Sequence, residues 1–267
     1  MAPAAEPDPP FPDFWSVNTV CRLLGVVARK SAPIAELLAE DLDPFLQLAC
    51  EHKDGWGIAF RDELGAVSIV KGTDRADDSD LLRGLLKSCV TDMAVLHIRM
   101  ASPHLAVSMD NTHPFGDARA AFAHNGEIRP VTSLDALISP GLLATAVGTT
   151  DSERYFLAIR EQMDQGSPPE QAITRTAQSI RERAEMVVSL NCMMLTPDGL
   201  FTYAEHDPHS EVIGRRGPGY FGLSYRQEEH KTVVASEGWP QPRPQWRGLP
   251  ASHAARFTTA DLQPRIH

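Results

Sequence analysis

Two blocks of short apolar runs, separated by a helical middle, limit what this chain can fold into more than any other feature. Toward the N-terminus stand CRLLGVVA (21–28), WGIAF (56–60), AVSIV (66–70), AVLHIR (94–99) and AAFAHN (120–125). Each has the length of a strand and is too short for a core helix. Helical spacing is concentrated later. TDSERYFLAIREQM (150–163) opens with a T-x-x-E capping box, Thr150 and Glu153, ahead of Tyr155, Phe156 and Ile159, and PPEQAITRTAQSIRERAEM (168–186) follows Gly166. Strand signals resume at VVSLNCMML (187–195), LFTYAE (200–205), GYFGLSY (219–225) and KTVVAS (231–236), with a hairpin turn expected at Asp198-Gly199. Between the early strands, IAELLAEDLDPFLQLACEH (34–52) has helix-like spacing interrupted by Pro44, and DDSDLLRGLLKSC (77–89) has the acidic first turn and basic last turn that suit the helix dipole. Strands, helices, then strands favour a layered α+β domain over an alternating βαβ fold.

The chain has 267 residues, 42% of them hydrophobic, which is enough for one large core. Its net charge of −10 comes without any cluster of Lys and Arg, which argues against nucleic acid as a partner. No apolar run approaches a membrane span and the N-terminus lacks the basic and apolar parts of a signal peptide, so a soluble, cytoplasmic protein is expected. Residues 1–20, MAPAAEPDPPFPDFWSVNTV, are rich in proline and resist regular structure; they read as a flexible arm ahead of a domain covering 21–267. Four cysteines, Cys21, Cys50, Cys89 and Cys192, are widely spaced with no CxxC pair, so neither a zinc site nor a disulfide framework is expected. Cys50, Cys89 and Cys192 read as small core hydrophobes.

Polar residues collect at the ends of the strand-like runs, in HKDGWG (52–57), HIRMAS (97–102), AHNGE (123–127) and TTDSE (149–153). Taken singly, each has an ordinary structural reading: Asn125-Gly126 as a tight turn, Arg99 as an ion-pair residue, Asp151 as the first turn of a capped helix, and His97, His113 and His124 as buried structural histidines. Together with Cys21 they could share one chemistry. A thiolate that attacks an amide needs a base, donors for the developing oxyanion and groups that hold the substrate. Asn125 offers a side-chain N–H, Gly126 a closely approaching backbone N–H, Arg99 a fork for a carboxylate, and Asp151 an acceptor for an amine.

The order of these segments, Cys21 leading a strand, DGWG, H-x-R-x-A-S, NTHPF, AHNGE and TDSE, resembles the glutaminase domain of class II glutamine amidotransferases, which are N-terminal-nucleophile hydrolases. The likeness is to the small stand-alone members and runs from Cys21 to about residue 237. It implies an αββα sandwich of two packed antiparallel sheets. It also implies Cys21 as nucleophile with its own α-amine as base, Asn125 and Gly126 as oxyanion hole, and Arg99, Ser102 and Asp151 as groups holding the glutamyl end. Trp56 and Gly57 would flank the nucleophile. The chain departs from the family pattern at Ser102, where many relatives have Thr, and at Met100 and Pro103, where synthase-linked members have Trp and His.

A cysteine can pass its proton to an α-amine of similar pKa, but an amide nitrogen cannot accept it. The resemblance therefore implies that Cys21 becomes residue one, either by cleavage of a propeptide after Val20 or because translation begins at position 20. The implied reaction is cleavage of glutamine or another γ-glutamyl amide, with release of glutamate and ammonia or an amine; a separate synthase subunit is the partner if ammonia is handed on. A catalytically silent module that binds glutamine, its cysteine blocked by the arm, is the alternative. A papain-like arrangement is weaker, because CRLLGVV reads as a strand and not a helix start. HDPH (206–209) reads as a solvated turn, and neither a metal nor an organic cofactor is expected.

Overall fold

β1 (Arg22–Pro33) is apolar on both faces through its first half, and this makes it a central strand. Leu24 and Val26 point to one side and Leu23 and Val27 to the other, as the two-residue period requires. The computed structural model describes residues 21–101 and 105–267 of the chain. Expectations for the arm and for Ser102 fall outside that range.

After β1 come two short helices, α1 (Ile34–Leu38) and α2 (Leu42–Gln47). The break falls at Ala39, whose φ of 45° leaves the helical region. Pro44 sits in the first turn of α2, where its missing N–H leaves no helical bond unmade. β2 (Trp56–Arg61) and β3 (Val67–Gly72) form a hairpin. α3 (Asp80–Ser88) is capped by Ser79, whose Oγ accepts the Leu82 N–H at 3.3 Å, and β4 (Val90–Ile98) returns between β1 and β2. β5 (Phe115–Asp117) and β6 (Ala120–Asn125) start a second sheet. The short β7 (Ile128–Arg129) precedes the helical middle of α4 (Pro140–Leu143), α5 (Asp151–Asp164) and α6 (Pro169–Arg183). Its partner β8 (Met186–Val187) follows that middle. β9 (Asn191–Thr196) and β10 (Gly199–Tyr203) make a hairpin whose turn is Pro197-Asp198, with Gly199 already in the ladder opposite Thr196. α7 (Glu211–Arg216), β11 (Leu223–Gln227), β12 (Lys231–Ser236), β13 (Trp246–Gly248), β14 (Ala254–Phe257) and β15 (Arg265–Ile266) complete the chain.

The first sheet has the order β13-β11-β12-β1-β4-β2-β3 and the second β15-β14-β10-β9-β6-β5. Pairing within both is antiparallel. Leu23, Val27, Met93 and Val95 of the first sheet meet Ala121, Met193, Leu195 and Phe257 of the second in the central core. Helices α1 to α3 cover the outer face of the first sheet through Leu38, Phe45, Leu82 and Leu86. Helices α5 and α6 cover the second through Tyr155, Phe156, Ile173 and Ile180. The result is a four-layer αββα sandwich.

Several expectations need correction. Cys50 is exposed, its Sγ 4.0 Å from an Asp77 carboxylate oxygen, and is not a core residue; Cys192 is fully buried and Cys89 partly so. VVSLNCMML breaks between β8 and β9, and Tyr220 and Phe221 lie ahead of β11 in a turn. The capping box at α5 is half as expected: Thr150 Oγ1 accepts the Glu153 N–H at 3.1 Å. The Glu153 carboxylate accepts from the backbone of Val147 and Gly148 instead of Thr150, which ties the preceding loop to the helix start.

Candidate active site

The site forms where the central strands of both sheets end together. β1 pairs with β4 so that Arg22 faces Ile98 and Leu23 faces His97. Extending that register by one step sets Cys21 level with Arg99, and the alternation sends both toward the space between the sheets. The Cys21 thiol lies 3.7 Å from the Met100 carbonyl oxygen, and burial pushes its pKa up to about 11. The Met100 contact and the Arg99 charge oppose that shift, while the Asp151 carboxylate adds to it.

Arg99 is only 2% exposed and yet has no carboxylate within ion-pair distance among the described residues. Its guanidinium donates to the carbonyl oxygens of Ala106, at 3.1 Å, and Asp54, at 3.4 Å. Burial lowers its pKa, while Cys21 and Asp54 act in the opposite direction. Asp54 Oδ2 accepts the Ala101 N–H at 2.8 Å, so the HKDGWG segment grips both sides of the chain that follows β4.

The opposite wall comes from the second sheet. Asn125 ends β6 opposite Asn191 of β9, is completely buried, and has no hydrogen-bond partner for either its Oδ1 or its Nδ2 among the described residues. Buried amides are nearly always bonded, so an unpaired pair of polar atoms marks a place prepared for something else. At Gly126 a Cβ would stand 2.0 Å from the Ser189 carbonyl oxygen, so only glycine lets the backbone pass here. His124 locks the same corner: its Nε2 donates to the Ser189 carbonyl at 2.9 Å, which leaves Nδ1 to accept from the Ser152 hydroxyl at 2.9 Å. Burial lowers its pKa, and the Asp151 carboxylate and Ser189 carbonyl oppose that shift.

Asp151 is the first residue of α5. Its carboxylate accepts N–H groups from Ile128 and from Ser152, each at 2.8 Å, and sits at the positive end of the helix. Cys21, Arg99, Gly126 and Asp151 together line one cavity of about 30 Å³, closed further by Leu105 and His113, with room for about one water molecule.

The structure thus brings Cys21, Arg99, Gly126 and Asp151 to one cavity, whereas Asn125, next to Gly126 in the chain, is not among the residues lining it. It does not bring Trp56 there. Trp56 packs in the outer core under α1 to α3, with its indole N–H donating to Asp74 at 2.8 Å. Gly57 faces the other way, and its role is clearance: a Cβ would lie 1.9 Å from the His113 carbonyl oxygen. Sequence reasoning passed over Asp54 as an anchor for Ala101, and Asn111, whose Oδ1 accepts the Thr149 N–H at 2.9 Å and so holds the loop before α5. Asp54 lies inside HKDGWG and Asn111 opens NTHPF, and that was the available signal.

Comparison with known proteins agrees with this geometry. The sequence model of one family, the class-II glutamine amidotransferases, matches residues 20–233, which is most of the chain and begins one residue before Cys21. The chain belongs to that family. It is 27% identical over 228 residues to the uncharacterized protein MJ1515 of Methanocaldococcus jannaschii, covering 79% of this chain but only 58% of that relative's length. Among solved structures, it resembles a glutamine aminotransferase class-II domain protein of Silicibacter pomeroyi, with a TM-score of 0.64 at 17% identity, over 92% of this chain and 99% of that one. It also resembles the glutamine phosphoribosylpyrophosphate amidotransferase of B. subtilis, with a TM-score of 0.63 at 16% identity, over 92% of this chain and 49% of that one. At these identities the structural likeness shows a shared fold, the sandwich of two packed antiparallel sheets. No helix among the described residues is long and apolar enough to cross a membrane.

Proposed function

We propose that residues 21–267 form a single glutamine amidotransferase domain that cleaves γ-glutamyl amides through a thioester on Cys21. The observation that carries this reading is the convergence of Cys21, Arg99, Gly126 and Asp151 on one cavity, with a buried guanidinium that has no carboxylate partner among the described residues. A buried, unpaired cation is costly, and an incoming α-carboxylate would supply the missing partner through a bidentate fork. Asp151 takes the substrate α-amine, and Ser102 supports Arg99 at the carboxylate.

With Cys21 in peptide linkage, a thiol pKa of about 11 leaves roughly one molecule in 10⁴ ionised at pH 7. Processing that makes Cys21 residue one, by removal of residues 1–20 or by initiation at position 20, would supply an α-amine as base. The thiol proton passes to that amine and Sγ attacks the γ-carbonyl carbon. The oxyanion is held by the Asn125 side-chain N–H and the Gly126 backbone N–H. As the C–N bond breaks, the α-ammonium returns its proton to the leaving nitrogen, releasing ammonia or an amine. Water then adds to the thioester carbonyl, the C–S bond breaks, and glutamate leaves with the thiol restored. Glutamine and substituted γ-glutamyl amides share the end that these residues hold, and a separate synthase is the partner that would consume free ammonia.

The test is to incubate the form beginning at Cys21 with glutamine, glutathione and other γ-glutamyl amides and to measure glutamate release. Turnover of at least one is expected. If all are bound but none is cleaved, the glutamine-binding module without catalysis replaces this reading.

A further inference from the structure

His97 and His113 are the two groups at this site that the chemistry above leaves unused. His97 lies on the inner face of β4 and His113 in the segment leading to β5, and their rings are in contact, tilted at 32° with centroids 4.2 Å apart. All four ring nitrogens are buried and none makes a well-formed hydrogen bond among the described residues, although His97 lies close enough to the His124 backbone for a weak one. Two adjacent imidazoles with four nitrogens left this poorly bonded are far outside the usual economy of a protein interior. One donor atom of each ring and the Cys21 Sγ all lie within 4.8 Å of one another.

We propose that Cys21, His97 and His113 form a binding site for a borderline-soft divalent cation, Zn²⁺ being the type case, whose occupation of Sγ excludes the thioester chemistry. The donor set is of the kind zinc takes, one thiolate and two imidazoles. On binding, the Cys21 S–H proton is released to solvent, one Zn–S and two Zn–N bonds replace bonds to water, and nothing is oxidised or reduced. Zinc–ligand bonds of about 2.0–2.3 Å place tetrahedral ligands roughly 3.3–3.8 Å apart, so separations that lie within 4.8 Å need close by at most about 1.5 Å. The fourth position falls to water or, on the reading that Cys21 becomes residue one, to its α-amine in a five-membered N,S chelate. Entry is through the cavity that Cys21 and His113 both line. Of the neighbouring charges, Arg99 opposes a cation and Asp151 favours it, and both act on Cys21 with opposite sign.

The full, reduced chain titrated with Co²⁺ as probe tests the site without any substrate. One equivalent is expected to produce a thiolate-to-cobalt charge-transfer absorption in the near ultraviolet, which Zn²⁺ then displaces. His97→Ala and His113→Ala should each weaken binding by more than the roughly 10- to 100-fold that loss of an outer-shell partner costs. Cys21→Ser, which keeps the size and packing of the side chain, should abolish the band, and Cys50→Ala should leave it intact. Absence of the band at saturating Co²⁺, or its persistence in Cys21→Ser, would overturn the proposal. Because no turnover is measured, either result leaves the glutamyl chemistry to stand or fall separately.

Discussion

At the Val90 end of β4, Arg61 of the neighbouring strand donates through Nε to Asp92 Oδ1 at 2.9 Å and through Nη1 to the Pro197 carbonyl of the other sheet at 2.8 Å. Beside it, the Thr91 hydroxyl donates to the Arg61 carbonyl at 2.7 Å. At the Ile98 end, eight residues along, Arg99 donates to two backbone carbonyls, those of Asp54 and Ala106, while the side chains of His97, His113 and Asn125 make no well-formed hydrogen bond among the described residues. Among the described residues the partly exposed arginine has its carboxylate and the fully buried one does not. Burial raises the cost of an unpaired charge, so stability alone would have arranged the two ends the other way round. One end of the sandwich pairs its charged groups, whereas the other leaves a guanidinium without a carboxylate and an amide without hydrogen bonds among the described residues.

Substitutions at the two ends should therefore fail in different ways. Cys21→Ala should have the largest effect: it removes the nucleophile at little packing cost, so γ-glutamyl cleavage should vanish while the thermal transition stays close to that of the parent. Turnover in a purified, correctly processed Cys21→Ala protein would contradict the assignment. Asn125→Ala comes next. Loss of one oxyanion donor typically lowers kcat by about 10²- to 10³-fold, or roughly 2.7–4 kcal/mol, with KM little changed. Asn125→Asp, which puts negative charge where negative charge must develop, should be at least as inactive, and a folded Asn125→Asp enzyme with near-normal kcat would remove the residue from that role.

Arg99→Lys should act mainly on KM. A point charge cannot reproduce a fork, and the loss of one charge-assisted hydrogen bond, about 1.5–3 kcal/mol, corresponds to a rise of about 10- to 100-fold. Substrates lacking the α-carboxylate should be spared, and equal losses for both kinds would argue for a purely structural arginine. Arg61→Ala should show the smallest effect on chemistry, with kcat and KM unchanged. It should lower stability by about 1–3 kcal/mol, because it leaves Asp92 and the Pro197 carbonyl without their shared donor. A catalytic defect there would erase the contrast between the two ends.

How far the sequence could be read follows from the range of the interactions involved. The capped start of α5, the apolar face of β1 and the α+β order depend on neighbours a few residues apart, and these were legible. The family motifs added the sandwich and named Cys21, Arg99, Gly126 and Asp151, which do share a cavity. Trp56 was misplaced because motif reading ignores strand parity: Gly57 is level with His97 and faces inward, so Trp56 beside it must face the helices. His97 and His113, whose rings touch but come from different elements, could not be seen as a pair, since each alone looks like an ordinary buried histidine. β14, an inner strand of the second sheet, was missed because AARF (254–257) is short and carries no turn signal that separates it from a loop.

A requirement for a free α-amine on Cys21 sets the proposed chemistry apart from any other use of this thiol. It is tested most directly by treating two forms, the full chain and the chain beginning at Cys21, with an electrophilic glutamine analogue at neutral pH and locating the adduct by peptide mass mapping. The account predicts rapid, stoichiometric labelling of Cys21 in the second form, blocked by substrate, and little in the first, where the thiol pKa is near 11. Equal labelling of Cys21 with residues 1–20 still attached, or an adduct on Cys50, Cys89 or Cys192 instead, would contradict it.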